Sequence, residues 1–111
     1  MEANPLIHVV GTVCKPGMES AVSKWYMETH IPMLLEFQKI QEVNLCQRFT
    51  DAPDYPLFLA TYQFESPSAF KEYGLSQTLT AAKQDQARQW KEGEFELKWR
   101  VQFEVLRSWK R

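Results

Sequence analysis

The apolar residues of this chain switch between the two-residue period of a strand and the three-to-four-residue period of a helix, and the order of those switches restricts the fold more than any other feature. Residues 5 to 14, Pro-Leu-Ile-His-Val-Val-Gly-Thr-Val-Cys, read as a strand with Ile7, Val9, Gly11 and Val13 on one face and Leu6, His8, Val10, Thr12 and Cys14 on the other. Lys15-Pro16-Gly17 breaks it. From Met18 a helical period follows, with Val22, Trp25, Thr29 and Met33 on the core stripe and Tyr26, His30 and Phe37 on a flanking stripe. Pro32 cannot donate to the helical ladder and restricts Ile31, so a kink or restart is expected there, with His30 in a disturbed last turn.

Ile40 to Thr50 and Leu57 to Glu65 return to the strand period, and the two prolines of the intervening loop make the pair an antiparallel hairpin. Ser66-Pro67 supplies a capping hydroxyl and a proline at the first helical position. That helix is interrupted near Gly74, resumes through Leu79, Ala82, Gln86 and Trp90, and is closed by Gly93. In the last strand, Phe95 to Leu106, strict alternation puts Phe95, Leu97, Trp99, Val101, Phe103 and Val105 on one face. The order β-α-β-β-α-β specifies an α+β, ferredoxin-like fold with a four-stranded antiparallel sheet, in a single domain over residues 1–111. Helices cover one face of such a sheet. The other face keeps residues such as Leu6, Val10, Leu57 and Leu59, or their alternates, which are too apolar to leave wet. A second copy of the sheet, in a two-fold homodimer, would cover them.

Four tryptophans, four tyrosines and seven phenylalanines are more large rings than one small core hides, so a cavity or a partner surface is expected to take the excess. A formal net charge of -1, with no extended basic cluster, argues against nucleic-acid and anionic-membrane partners. The beginning of the chain lacks the pattern of a signal peptide and no apolar run is long enough to span a bilayer, so a cytoplasmic protein is expected. Cys14 and Cys46 lack histidines at ligand spacing and are read as buried free thiols. No glycine-rich phosphate loop, nucleophile elbow or metal-ligand cluster is present, so no cofactor and no metal are assigned.

The chemistry is concentrated in Trp25-Tyr26-Met27-Glu28-Thr29-His30-Ile31-Pro32. His30 can take or give a proton near neutral pH, which suits abstraction from a phenol or from carbon beside a carbonyl; the plainer role is to cap the last helical turn. His8, alone on a strand, is either a satisfied core group or a partner that divides acid and base roles with His30. Tyr26 and Tyr62 can present phenols to a substrate oxygen, and Trp25 and Trp99 can form an apolar wall. Arg48 and Arg100 can each hold a carboxylate or enolate, or can simply pair across strands with Glu42, Glu96 or Glu104.

The helix with Trp25-Tyr26 and His30-Ile31-Pro32 after a Lys-Pro-Gly turn, Tyr62 with Phe64-Glu65-Ser66-Pro67, and the aromatic-rich last strand resemble the dimeric α+β barrel superfamily, and within it the EthD-like proteins. The resemblance implies a homodimer joined through its sheets, with a pocket between sheet and helices in each subunit. Its members include cofactor-free monooxygenases of aromatic polyketides, small isomerases and cyclases, and haem-degrading enzymes, and His30 stands where an EthD-like pattern places its histidine before proline. The expected activity is binding of a small aromatic or apolar metabolite, with cofactor-independent acid/base or monooxygenase-type chemistry. The alternative is a non-catalytic dimeric binding or accessory module.

Overall fold

A computed structural model describes residues 4–111 of the chain. β1 (Leu6–Cys14) is followed by α1 (Glu19–Trp25), a π-helical turn (Tyr26–His30) and α2 (Ile31–Leu34). The hairpin β2 (Ile40–Gln47) and β3 (Phe58–Phe64) comes next, then α3 (Pro67–Gly74), α4 (Gln77–Gln89) and β4 (Phe95–Glu104). The strands lie in the order β2-β3-β1-β4, every neighbouring pair antiparallel. This is the ferredoxin-like arrangement that the periodicity predicts.

Local signals start the two later helices where expected, but Gly93 does not close the last one: α4 ends at Gln89, Trp90 is already extended, and Gly93 lies in the turn into β4. The Ser66 hydroxyl accepts from the Ala69 amide at 3.1 Å with Pro67 at the first helical position, and Ser76 caps α4 in the same way through the Leu79 amide at 3.2 Å. Gly17 and Gly93 turn the chain with φ of 92° and 83°, a region that side chains with a Cβ avoid.

Pro32 does more than kink the first helix. It has no N–H for the Glu28 carbonyl and its ring crowds that carbonyl, and the chain responds by widening one turn, so that the Ile31 amide donates five residues back to Tyr26. The helix then continues to Leu34.

Phe58, Ala60, Tyr62 and Phe64 of β3 and Leu6 of β1 pack with Val22, Trp25, Tyr26, Leu34, Ala69, Tyr73 and Ala82 of the helices to form the core. The last strand departs from strict alternation. Gly11 pairs with Trp99 but Thr12 pairs with Leu97, so Lys98 is an extra residue in a bulge. Because side chains alternate with a period of two, the extra residue reverses the phase. Phe95 and Leu97 share the helix-covered side with Thr12 and Cys14, whereas Trp99, Val101 and Phe103 share the opposite side with Gly11, Val9 and Ile7. Arg100 and Gln102 are thereby turned to the helix side, opposite Val10 and His8.

The face away from the helices carries Ile7, Val9, Val13, Leu59, Trp99, Val101 and Phe103, with Trp99 38% and Phe103 57% exposed. Leu6 and Val10, expected as candidates for this face, belong to the helix side, and their alternates occupy it. Pro56 closes down on it: a Cβ on Gly11 would lie 2.5 Å from the Pro56 Cγ. Neither cysteine is the buried thiol that the strand pattern suggests. Cys46 is exposed on the outer side of the edge strand β2, and Cys14 is half-buried. No helix among the described residues is long and apolar enough to cross a membrane.

Candidate functional site

Between the helix side of the sheet and the helices lies a cavity of about 340 Å³, within the usual range for small-molecule sites. β1 contributes His8, Val10 and Thr12, β3 contributes Tyr62, and the π turn contributes Tyr26 and His30. α3 and α4 add Phe70, Tyr73, Leu79, Lys83 and Gln86, and β4 adds Phe95, Leu97 and Arg100. The two histidines, 22 positions apart in the chain, therefore open onto one space.

The π turn is what aims His30. In a regular α-helix residues five apart point about 140° away from each other, yet His30 stacks on Trp25 with ring centres 4.4 Å apart and 22° between planes. Tyr26 meets the same imidazole edge-on at 5.7 Å. The His30 Nδ1 is buried and has no hydrogen-bond partner among the described residues, so the ring does not cap the helix end as the plainer sequence account has it. Burial pushes its pKa down to about 4, against an opposing pull from the Asp85 carboxylate. Asp85 also accepts a hydrogen bond from the Trp25 indole at 3.0 Å, tying α4 to the base of the stack.

His8 is held differently. The Gln102 side-chain amide donates to its Nδ1 at 3.0 Å, which places the imidazole proton on Nε2. Burial, and then the charge of Arg100, lower its pKa to about 4. Both imidazoles are thus neutral at pH 7, and His8 is a hydrogen-bond donor. Its ring packs against Phe70 at 4.9 Å and Tyr62 at 5.8 Å.

The phenols are protonated throughout the physiological range. Tyr26 shares a 2.9 Å hydrogen bond with the Thr12 hydroxyl, and its pKa is pushed up to about 12 by burial, which outweighs that bond. Tyr62 is raised well above the usual phenol range by burial and then by Tyr26 and Tyr73. Tyr73 is pushed up to about 12 by burial, with Arg100 opposing.

Of the residues singled out in the sequence, His30, Tyr26, Tyr62 and His8 line this cavity. Trp25 stands behind it as core, 5% exposed, and supports His30. Trp99 and Arg48 are elsewhere: they line a second hollow of about 360 Å³ on the opposite face, under the β2–β3 loop. The bulge at Lys98 sends Trp99 there. Arg48 clasps that loop, donating to the Thr50 and Tyr55 carbonyls at 3.2 and 2.8 Å. Of the two arginines considered, Arg100 is the one at the cavity. Tyr73, Phe70 and Lys83 also line it, and nothing in their helical spacing sets them apart from core or solvated positions. Among the described residues no three His, Cys, Asp or Glu side chains gather as a metal site.

The fold recurs in solved structures. An EthD family protein from Bacillus halodurans superposes with a TM-score of 0.65 at 12% identity, over 91% of this chain and 99% of that one. A dimeric ferredoxin-like protein of unknown function from Jannaschia sp. gives 0.63 at 15% identity, over 91% and 99%. SnoaB from Streptomyces nogalater, a cofactor-independent oxygenase crystallised as a mutant, gives 0.64 at 11% identity, over 96% and 97%. At these identities the likeness is one of fold alone, the ferredoxin-like arrangement described above. No curated protein matches the sequence. A family model covers nearly all of the chain, residues 6–101, and by that match the protein belongs to the family described as Domain of unknown function (DUF4286).

Proposed function

We propose that the protein binds a small, mostly apolar or aromatic molecule in the cavity beneath its helices and performs cofactor-independent proton transfer on it, as a homodimer joined through the outer sheet face. The observation that carries this is the pair of neutral imidazoles opening onto one cavity, His8 fixed as a donor and His30 without a protein partner on its buried nitrogen. His30, whose ring makes no hydrogen bond among the described residues, offers an imidazole lone pair as a base. The imidazolium that forms is held over the Trp25 indole, a cation–π contact, and near Asp85. The enolate or phenolate left on the substrate is met by the His8 Nε2–H and the Tyr62 hydroxyl, a neutral imidazole being an effective donor to such an oxygen. Tyr26, tied to Thr12, orients the substrate edge. Deprotonation is also the entry to monooxygenase-type chemistry, since it makes an electron-rich anion; the fold shared with SnoaB, a cofactor-independent oxygenase, supports that extension.

Exchange of an acidic C–H tests the proposal. 2-Tetralone, an apolar bicyclic ketone, is expected to lose its C1 hydrogens to D₂O in a saturable reaction with the protein, and His30→Gln to slow this about 100-fold or more. The low basicity of the buried His30 favours the rival, a non-catalytic binding module. Tetralone that binds but exchanges no faster than in buffer would establish the rival and end the catalytic proposal.

A further inference from the structure

Among the described residues the cavity lining includes no aspartate or glutamate, Asp85 acting on His30 from outside that lining, whereas two cations, Arg100 from β4 and Lys83 from α4, stand among its rings. Neither makes an ion pair or a side-chain hydrogen bond among the described residues, although the chain as a whole is slightly acidic. Arg100 is directed there by the sheet: it pairs with Val10, itself a cavity residue, and the bulge at Lys98 sets its phase. Its charge is felt by His8 on β1 and by Tyr73 on α3, groups on two different walls. Arg100 is exposed, so it marks the open side of the cavity, and Phe70, Leu79 and Phe95 supply apolar surface within.

We infer that the ligand is amphipathic: a flat apolar or aromatic body that enters the cavity and one carboxylate, or an equivalent resonance-stabilised oxyanion, held at the mouth by Arg100 and Lys83. A guanidinium presents parallel donors that match a carboxylate, and Lys83 adds a mobile point charge on the facing helix. Arg100 is then the residue that sets specificity, since the apolar lining accepts any ring of suitable size. This inference rests on the cavity being a small-molecule site.

Two probes with the same ring system separate the two ideas. 2-Naphthoate and its uncharged counterpart 2-naphthalenemethanol are titrated into the full chain by calorimetry, with Arg100→Gln and Lys83→Gln as variants and circular dichroism confirming that each is folded. The naphthoate is expected to bind about tenfold more tightly than the alcohol, and the preference to shrink severalfold in Arg100→Gln and by less in Lys83→Gln. Added salt should weaken only the naphthoate. Equal affinity for both probes would overturn the anionic subsite and leave the cavity standing. A preference for naphthoate that survives in both variants would remove these two residues from the assignment. Failure of both probes to bind would overturn the subsite together with the small-molecule site.

Discussion

The imidazole of His30 lies almost parallel to the indole of Trp25, 4.4 Å away, and the contact exists because one helical turn is a residue too wide. Pro32 is the cause identified for that turn. Replacing it with alanine restores a donor for the Glu28 carbonyl and removes the ring that crowds it. Pro32→Ala is expected to convert the turn toward a regular helix and to swing His30 off Trp25. In NMR the ring-current shift of the His30 ring protons should collapse toward ordinary values. Unchanged His30 shifts in the variant would show that tertiary packing, and not the proline, holds the π turn.

Stability should fall as the solution is acidified. His8 and His30 titrate at about 4 in the folded protein, below the ordinary 6.5. Between those values the unfolded chain binds protons that the native state refuses, so the stability conferred by neutral burial is present above pH 6.5 and is lost as the pH falls toward 4. By pH 5 the loss should be about 1–2 kcal/mol for each imidazole. Urea midpoints measured from pH 7 to pH 5 check this, with the His8→Gln/His30→Gln double variant giving a flatter profile. NMR titrations returning values near 6.5 for both rings would contradict the burial argument.

Gly11 is where the β2–β3 loop touches the sheet. A Cβ there would fall 2.5 Å from the Pro56 Cγ and 3.3 Å from the Trp99 ring. A proline ring cannot fold away as a flexible side chain does, so Gly11→Ala should cost about 1–3 kcal/mol, the range for overpacking. Chemical denaturation measures it. A loss below a few tenths of a kcal/mol would mean that the loop lifts freely from the outer face.

The outer face supplies the test of the proposed homodimer. Val101 lies on the edge strand β4 beside Val9 of β1, flanked by the exposed rings of Trp99 and Phe103. Sedimentation of the wild-type chain should give twice the 13.1 kDa chain mass. Val101→Asp should shift it toward the single-chain value, because an unpaired carboxylate in a buried interface is costly. A wild-type monomer at micromolar concentration would rule out the face-to-face association.

The sequence by itself determined the order of the elements and hence the fold, because strand and helix periods, the Ser66-Pro67 start and the glycine turns are local properties of consecutive residues. It also concentrated attention on Tyr26 and His30, whose common stripe is a local property too. Tertiary structure decided the rest of the cavity. One unpaired residue at Lys98, visible only in the pairing with β1, exchanged Trp99 for Arg100 at its mouth. A bulge is a mismatch between two strands distant in the chain, so nothing in the alternation of the last strand announces it. Likewise His8 became a defined donor only when β4 brought Gln102 to its Nδ1, 94 positions along the chain. The local code placed the first helix over the sheet, and the register between β1 and β4 chose which side chains it faces.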